Sequence, residues 1–504
     1  MSDASTDQNF PKTGPYKSVR EYVAALEARG RLVRIPEMDQ DQYESTGFAY
    51  RLIDHYGYDY APAFLIERIK QDGEWIEGPI LCNLYGSWQD EALVFGLEDI
   101  TDDMQQMYHR VLAEIGTRLD SGGQWKKIDP ITIDRNKAPC KEVVLTGDEI
   151  DLKKFAFIKN NPADADRYIN MSAVILEDEE LGRNVGTYRS QLKSKNKLGL
   201  NTEPGQHGWQ ILNAKKLRGE KIAHVAIAFA PDPITFSASS TKLAVNVGDD
   251  EYPIIGGLMG QPLEIVKCET NDIMVPAHSE MIIEGEIPLD QGEDEGPYGE
   301  MYGYLGPKKP GNFFVNVTCV THREKPWILN SFTGITNDMP KSPQIASQFY
   351  RYKKSIPNLT GFYSPRNASG MAVISIDKKF PGEGISAGLE FAANQGLTKV
   401  VIVVDKDINI LDPTSILHAM AARWQPTASI LIPQARQRLP DPSLPTKGLT
   451  SKMIIDTTQQ FPEEGGPESW APVSRALLQE QSPQTFDMVD KKWSEYLQNW
   501  PGKG

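Results

Sequence analysis

The chain has 504 residues, enough for about three domains with well-buried cores. Its 53 basic and 68 acidic residues leave a net charge of −15, which disfavours nucleic acid and anionic membranes as partners. The four cysteines, Cys82, Cys140, Cys268 and Cys319, are scattered and form no CxxC pair, so neither a disulfide framework nor a thiolate zinc site is indicated. The opening MSDASTDQNFPKTGP lacks the apolar stretch of a secretory signal, and no run nears the roughly 18 apolar residues that span a bilayer. The expectation is a soluble, cytoplasmic protein with no membrane contact.

Residues 1–16 read as a disordered start, followed by an N-terminal α/β domain over 17–134. Within it, SVREYVAALEARGRLVRI (18–35) predicts an amphipathic helix running into a strand, with Gly30 placed to stop the helix. Residues 135–330 are rich in short apolar runs: MSAVILED (171–178), NVGTYRSQL (184–192), HVAIAFA (224–230), MIIEGEI (281–287) and NFFVNVTCVTH (312–322). Turn residues separate them, which predicts an antiparallel barrel or sandwich. The one clearly helical stretch there is GWQILNAKKLRG (208–219).

Residues 331–504 change character. MAVISI (371–376), SAGLEFAANQ (386–395), KVVIVVD (399–405), SILHAMAARW (415–424) and ASILIP (428–433) alternate strand and helix, predicting a βαβαβ unit with a parallel sheet. The spacing of Gly382, Gly384 and Gly388 is GxGxxxG, a poor dinucleotide fingerprint, and the plainer reading is a flexible loop. The proline-rich 434–448 reads as a loop or arm, and PVSRALLQEQS (472–482) as a further helix.

Chemistry concentrates in the middle segment. In Glu295-Gly-Pro-Tyr-Gly-Glu300 two carboxylates bracket turn-forming residues. An extended strand would send them to opposite faces, whereas a tight turn aims both at one point, where they can divide into proton donor and electrostatic partner. Asn184-Val-Gly-Thr-Tyr-Arg189 poses the same geometric problem. Joint action of Asn184 and Arg189 requires a bulge at Gly186 or a ligand that wraps the strand. Pro204-Gly-Gln-His-Gly208 sets a histidine between glycines that would admit a ligand to the backbone. FSASSTK (236–242), followed by Asp249-Asp250-Glu251-Tyr252, offers hydroxyls, carbonyls and carboxylates suited to hard cations, or equally a solvated acidic turn.

Taken in order, these elements resemble the UbiD-type decarboxylases, especially the ferulic acid decarboxylases. In that family an N-x4-R segment precedes a Gln-His pair, a glutamate before an aromatic-and-glycine stretch, and then EGP(F/Y)GE. Here the positions are Asn184 and Arg189, Gln206 and His207, Glu251 in DEYPIIGGL, and Glu295 with Glu300. Tyr298 stands where phenylalanine is common. GQPLEIVKC (260–268), KVVIVVDKDIN (399–409) and HAMAARWQP (418–426) extend the likeness across residues 20–490.

The resemblance implies a central split β-barrel over 135–330 that binds prenylated FMN, flanked by the N-terminal α/β domain and a C-terminal domain that mediates homo-oligomerisation. It implies that Asn184, His207 and Glu251 ligate Mn²⁺ or Mg²⁺, and that Val185, Ala238, Ser239 and Thr241 surround K⁺. Further cofactor contacts fall on Thr187, Tyr188, Arg189, Gln206 and Lys399. Arg189 would hold the substrate carboxylate, Glu300 would carry the proton, and Glu295 would orient Arg189. The implied activity is reversible decarboxylation of an aromatic, heteroaromatic or α,β-unsaturated acid, releasing carbon dioxide, with a separate prenyltransferase supplying the cofactor. A flavin oxidoreductase on the same barrel and a non-catalytic cofactor-binding scaffold are the rival readings. The polar Asn330, Thr333 and Asn337 point to a hydroxylated or nitrogen-containing ring.

Overall fold

Ser18 accepts a hydrogen bond from the Glu21 N–H and so caps the helix Val19–Ala28, whose Tyr22, Val23 and Leu26 are buried. Gly30 at φ +66° ends that helix where the sequence places its stop, and the strand Leu32–Asp39 follows. In this computed structural model the described residues are 11–244, 246, 248–365, 367–393, 395–437, 441–444 and 448–499. The expected disorder of 1–16 therefore falls largely outside them, as does part of the proline-rich 434–448.

Leu32–Asp39 pairs parallel with Ala63–Gln71, which runs antiparallel to Glu74–Cys82. The fourth strand of this sheet comes from far along the chain: Ile328–Leu329 pairs parallel with Ile80 and Leu81. The middle segment thus returns to the N-terminal sheet before the chain leaves for its last third, and Phe332 stacks on Phe64 at 6.1 Å between ring centres.

The middle segment forms a ten-stranded, largely antiparallel sheet around the 14-residue strand Lys309–His322. That strand pairs with Lys197–Leu200, Met281–Pro288, Glu293–Glu295 and Val143–Thr146. The order continues from Met281–Pro288 through Ile222–Phe229 and Ser172–Asp178 to Gly182–Gly186. Among the described residues the path stays open, with Tyr168–Ile169 at one end and Gly182–Gly186 at the other, so the pairing closes no barrel. The predicted single strand over 184–192 is also corrected. It stops at Gly186 and resumes as Ser190–Ser194.

The last third contains the predicted parallel pair Met371–Ile376 and Val400–Asp405, with the helix Glu383–Ala393 between them. Its third parallel strand is Leu449–Asp456, whereas Ser429–Arg436 pairs antiparallel at the edge. The 428–433 run has the right composition, but composition does not encode strand direction. The expected flexible loop over Gly382–Gly388 is corrected: Gly384 and Gly388 lie inside the helix Glu383–Ala393, Gly384 packing against the buried Asp456 carboxylate while the Gly382 N–H donates to Glu464. Anions of the chain itself already occupy that helix start.

Candidate active site

Glu295 ends the strand Glu293–Glu295, after which Gly296 takes a left-handed φ of +82°. A residue with a Cβ would be strained there. The chain then forms a hairpin in which Tyr298–Gly299 pairs with Leu305–Gly306, and the Glu300 N–H donates to the Tyr304 carbonyl at 2.9 Å. The change of direction inside 295–300 comes at Gly296-Pro297, whereas the hairpin's own turn lies beyond Glu300, at Met301-Tyr302.

Both carboxylates converge on Arg189. Its Nε and Nη2 donate to the two oxygens of Glu295, each at 2.9 Å, and its Nη1 donates to Glu300 Oε1 at 2.6 Å. The Tyr298 ring lies 4.5 Å from the guanidinium carbon. The Glu295 side chain is fully buried, and those of Arg189 and Glu300 are 9% and 12% exposed. Burial alone would weaken the basicity of Arg189, but the Glu295 hydrogen bonds and the two carboxylate charges outweigh it, so its pKa is held above the ordinary value. The paired acids therefore do not face each other; a cation stands between them. Three of the five guanidinium N–H groups are engaged, which leaves two to receive a further carboxylate.

The break after Gly186 releases Asn184 and Arg189 from strand alternation. Asn184 Nδ2 donates to Glu251 Oε1 at 3.2 Å, and the Val185 N–H donates to Glu251 Oε2 at 3.0 Å. His207 and Glu251 are the first residues of the helices His207–Leu217 and Glu251–Met259. Tyr188 joins the two sides: its hydroxyl donates to Asn184 Oδ1 at 2.8 Å and accepts the Gly208 N–H at 3.0 Å. A Cβ on Gly186 or on Gly208 would lie 2.7 Å from that hydroxyl. The glycine beside His207 thus makes room for Tyr188, a different use from the ligand approach expected of it.

Burial pushes the Glu251 carboxyl up to about 8. His207 is held below the usual imidazole range by burial and then by the Lys242 charge, which favours the neutral ring. The helix Pro233–Ser240 brings Ala238 and Ser239 alongside, with the Thr187 N–H donating to Ser239 O at 2.9 Å. The Thr241 hydroxyl bonds its own helix at Ser237 O. Among the described residues no group of three or more His, Cys, Asp or Glu side chains is placed to hold a metal.

In sequence the chain matches the 3-octaprenyl-4-hydroxybenzoate carboxy-lyase (UbiD) family in three blocks. They are its N-terminal domain over residues 23–108, its Rift-related domain over 131–336 and its C-terminal domain over 340–457. The chain belongs to the UbiD family. An uncharacterized Synechocystis protein is 31% identical over 508 residues, spanning 95% of this chain and 96% of that relative. Among solved UbiD-class structures, HmfF from Pelotomaculum thermopropionicum in complex with FMN superposes with a TM-score of 0.77 at 28% identity, over 91% of this chain and 97% of that one. An evolved dimeric form of HmfF, solved with prFMN, gives 0.74 over the same shares. Vanillic acid decarboxylase from Sedimentibacter hydroxybenzoicus gives 0.78 at 26% identity, over 94% and 99%.

Two of the family-implied contacts are engaged elsewhere. Lys399 Nζ donates to Asp441 and Ser443, and the Gln206 side chain accepts the Glu203 N–H within its own loop. Asn330 and Asn337 are buried scaffold, bonded to Asn160 and to the Tyr58 and Gly86 carbonyls; only Thr333 of that trio lines the cleft at Glu300. Sequence reasoning missed Asp164 on the same cleft, and Tyr168, whose ring lies 4.4 Å from that of Tyr298. NNPADADR announces a turn and nothing of its neighbours.

Proposed function

We propose that this protein decarboxylates a small aromatic or heteroaromatic acid with prenylated FMN. The observation that carries the reading is the buried Arg189 bridging Glu295 and Glu300, the second of which lines a cleft. Removing carbon dioxide from an sp² carbon leaves an electron pair that no side chain can absorb, and prenylated FMN supplies that electron sink when bound. Arg189 offers its two remaining N–H groups to the substrate carboxylate, while Glu295 fixes the plane of the guanidinium. Glu300 delivers a proton to the carbon that loses carbon dioxide and takes it back in the reverse direction.

Asn184, His207 and Glu251 suit a divalent ion such as Mn²⁺ or Mg²⁺. They combine an amide oxygen, a neutral imidazole and a buried carboxylate that gains from a cation. The helix starts at His207 and Glu251, linked through Tyr188 and Asn184, would favour a phosphate beside it. The carbonyls of Val185, Ala238 and Ser239 are the donors available to K⁺. The cleft at Glu300 encloses only about 50 Å³, well under the usual ligand-pocket range, which disfavours anything larger than a single-ring acid.

The test is a screen of aromatic acids for carbon dioxide release, using protein produced with a prenylating partner. Release from at least one acid, abolished in Arg189→Ala, supports the reading; no release and no solvent exchange into any decarboxylated product sinks it. We also propose a homo-oligomer. Leu417 on the helix Pro413–Arg423 and Leu431 on the edge strand are each over 60% exposed and suit a second copy. A single monomer mass by light scattering at micromolar concentration would contradict that.

A further inference from the structure

The cleft that ends on Glu300 carries a second carboxylate. Asp164 is 3% exposed and lines the same cleft. Its Oδ1 accepts the Gly299 N–H at 2.8 Å and its Oδ2 accepts the Asn161 N–H at 3.0 Å. Each oxygen has room for two hydrogen bonds, so each keeps one acceptor position. Burial raises the Asp164 pKa; the Gly299 and Asn161 N–H bonds, then the charges of Lys159 and Arg189, offset this only in part. The Gly299 bond sets this carboxylate one residue along the chain from Glu300. The mouth of the cleft is aromatic, with Tyr50 and Tyr304 both half-exposed or more.

A carboxylate that only pinned the hairpin could do so from outside the cleft. On the cleft wall it presents acceptors to whatever enters. A ring bearing a hydroxyl or an N–H gains a charge-assisted bond there. A ring with only an acceptor at that place, such as a methyl ether, meets lone pairs with lone pairs and leaves Asp164 desolvated without a donor.

Resting on the decarboxylase reading, we propose that Asp164 determines specificity by accepting a hydrogen bond from a hydroxyl or ring N–H on the substrate, whose carboxylate faces Arg189. The chain should therefore select donor-bearing rings over their O-methyl counterparts.

The experiment uses the holoenzyme and two matched acids, 4-hydroxybenzoate and 4-methoxybenzoate, with pyrrole-2-carboxylate as the ring N–H probe. Equilibrium dialysis gives Kd for each, and kcat and KM are measured for those that turn over. Wild type should favour the hydroxy acid over the methoxy acid by on the order of 10- to 10²-fold in Kd. Asp164→Asn keeps an acceptor for the Gly299 N–H and puts an NH₂ donor where Oδ2 accepted the Asn161 N–H, so the ratio should collapse or reverse, with KM moving more than kcat. An unchanged ratio in a folded Asp164→Asn, or a wild type that binds both acids equally, overturns the proposal; the second outcome needs no variant. Absence of turnover with every acid counts against the decarboxylase reading alone, because dialysis still decides the role of Asp164.

Discussion

Gly306 lies directly behind Glu300 in the hairpin. A Cβ on Gly306 would sit 2.7 Å from both Cγ and Oε1 of Glu300, closer than real Cβ contacts come. The missing side chain is what lets the Glu300 carboxylate fold onto Arg189. Gly306→Ala should push Glu300 off the 2.6 Å bond to Nη1 while leaving the Glu295 pair intact. The expected result is a fall in kcat of roughly 10-fold or more, from misplacing a reacting group by a fraction of an ångström, with flavin occupancy unchanged. Full activity would show that the hairpin relaxes around the methyl group.

Glu300→Gln keeps the shape and hydrogen-bonding capacity of the side chain but cannot transfer the proton. Cofactor should load normally while turnover drops by about 10²-fold or more. Incubating the decarboxylated product in D₂O and following its mass isolates the proton step. Wild-type protein should exchange one hydrogen. Exchange that persists undiminished in Glu300→Gln would move the proton to Glu295.

His207→Ala and Glu251→Gln remove different donors from the proposed cation site. Each should co-purify with less flavin and less divalent metal, and dialysis of wild type against a chelator should reproduce the loss. Glu251→Gln also replaces the acceptor of the Val185 N–H by a weaker one, so its thermal stability should be measured beside its metal content. Normal flavin and metal content in His207→Ala would remove the histidine from the site.

Much of this centre was legible because turn chemistry is local. Gly296, Pro297 and the two acids lie within six residues, so their convergence follows from the backbone they dictate. The parting of Asn184 from Arg189 was legible as a problem, since alternation forbids their joint action, and the break after Gly186 is its solution. What stayed hidden depends on segments distant in sequence. Asp164 reaches the cleft through a hydrogen bond to Gly299, 135 residues away. Tyr188 fills space vacated by two glycines on different elements. Leu449–Asp456 takes the parallel position that composition assigns to the 428–433 run, because pairing direction is settled by the connection rather than by the strand's own residues.

Asp232 gives a prediction independent of catalysis. It caps the helix Pro233–Ser240, its Oδ1 accepting the Ile234 and Thr235 N–H groups at 3.0 and 2.9 Å. It is buried, and burial pushes its carboxyl up to about 7 despite those bonds. An acid raised in the folded state keeps its proton to higher pH than in the unfolded chain. Between about 4 and about 7 the folded form therefore binds more protons, and stability falls as pH rises through that window. Asp232→Asn retains an acceptor for the helix start and removes the titration. Relative to wild type, the variant should gain stability on going from pH 4 to pH 8, by roughly 1–4 kcal/mol at most. Denaturant melts of both proteins at the two pH values measure the difference. A variant whose deficit is the same at both would mean that the helix start keeps Asp232 ionised throughout, the N–H groups outweighing burial.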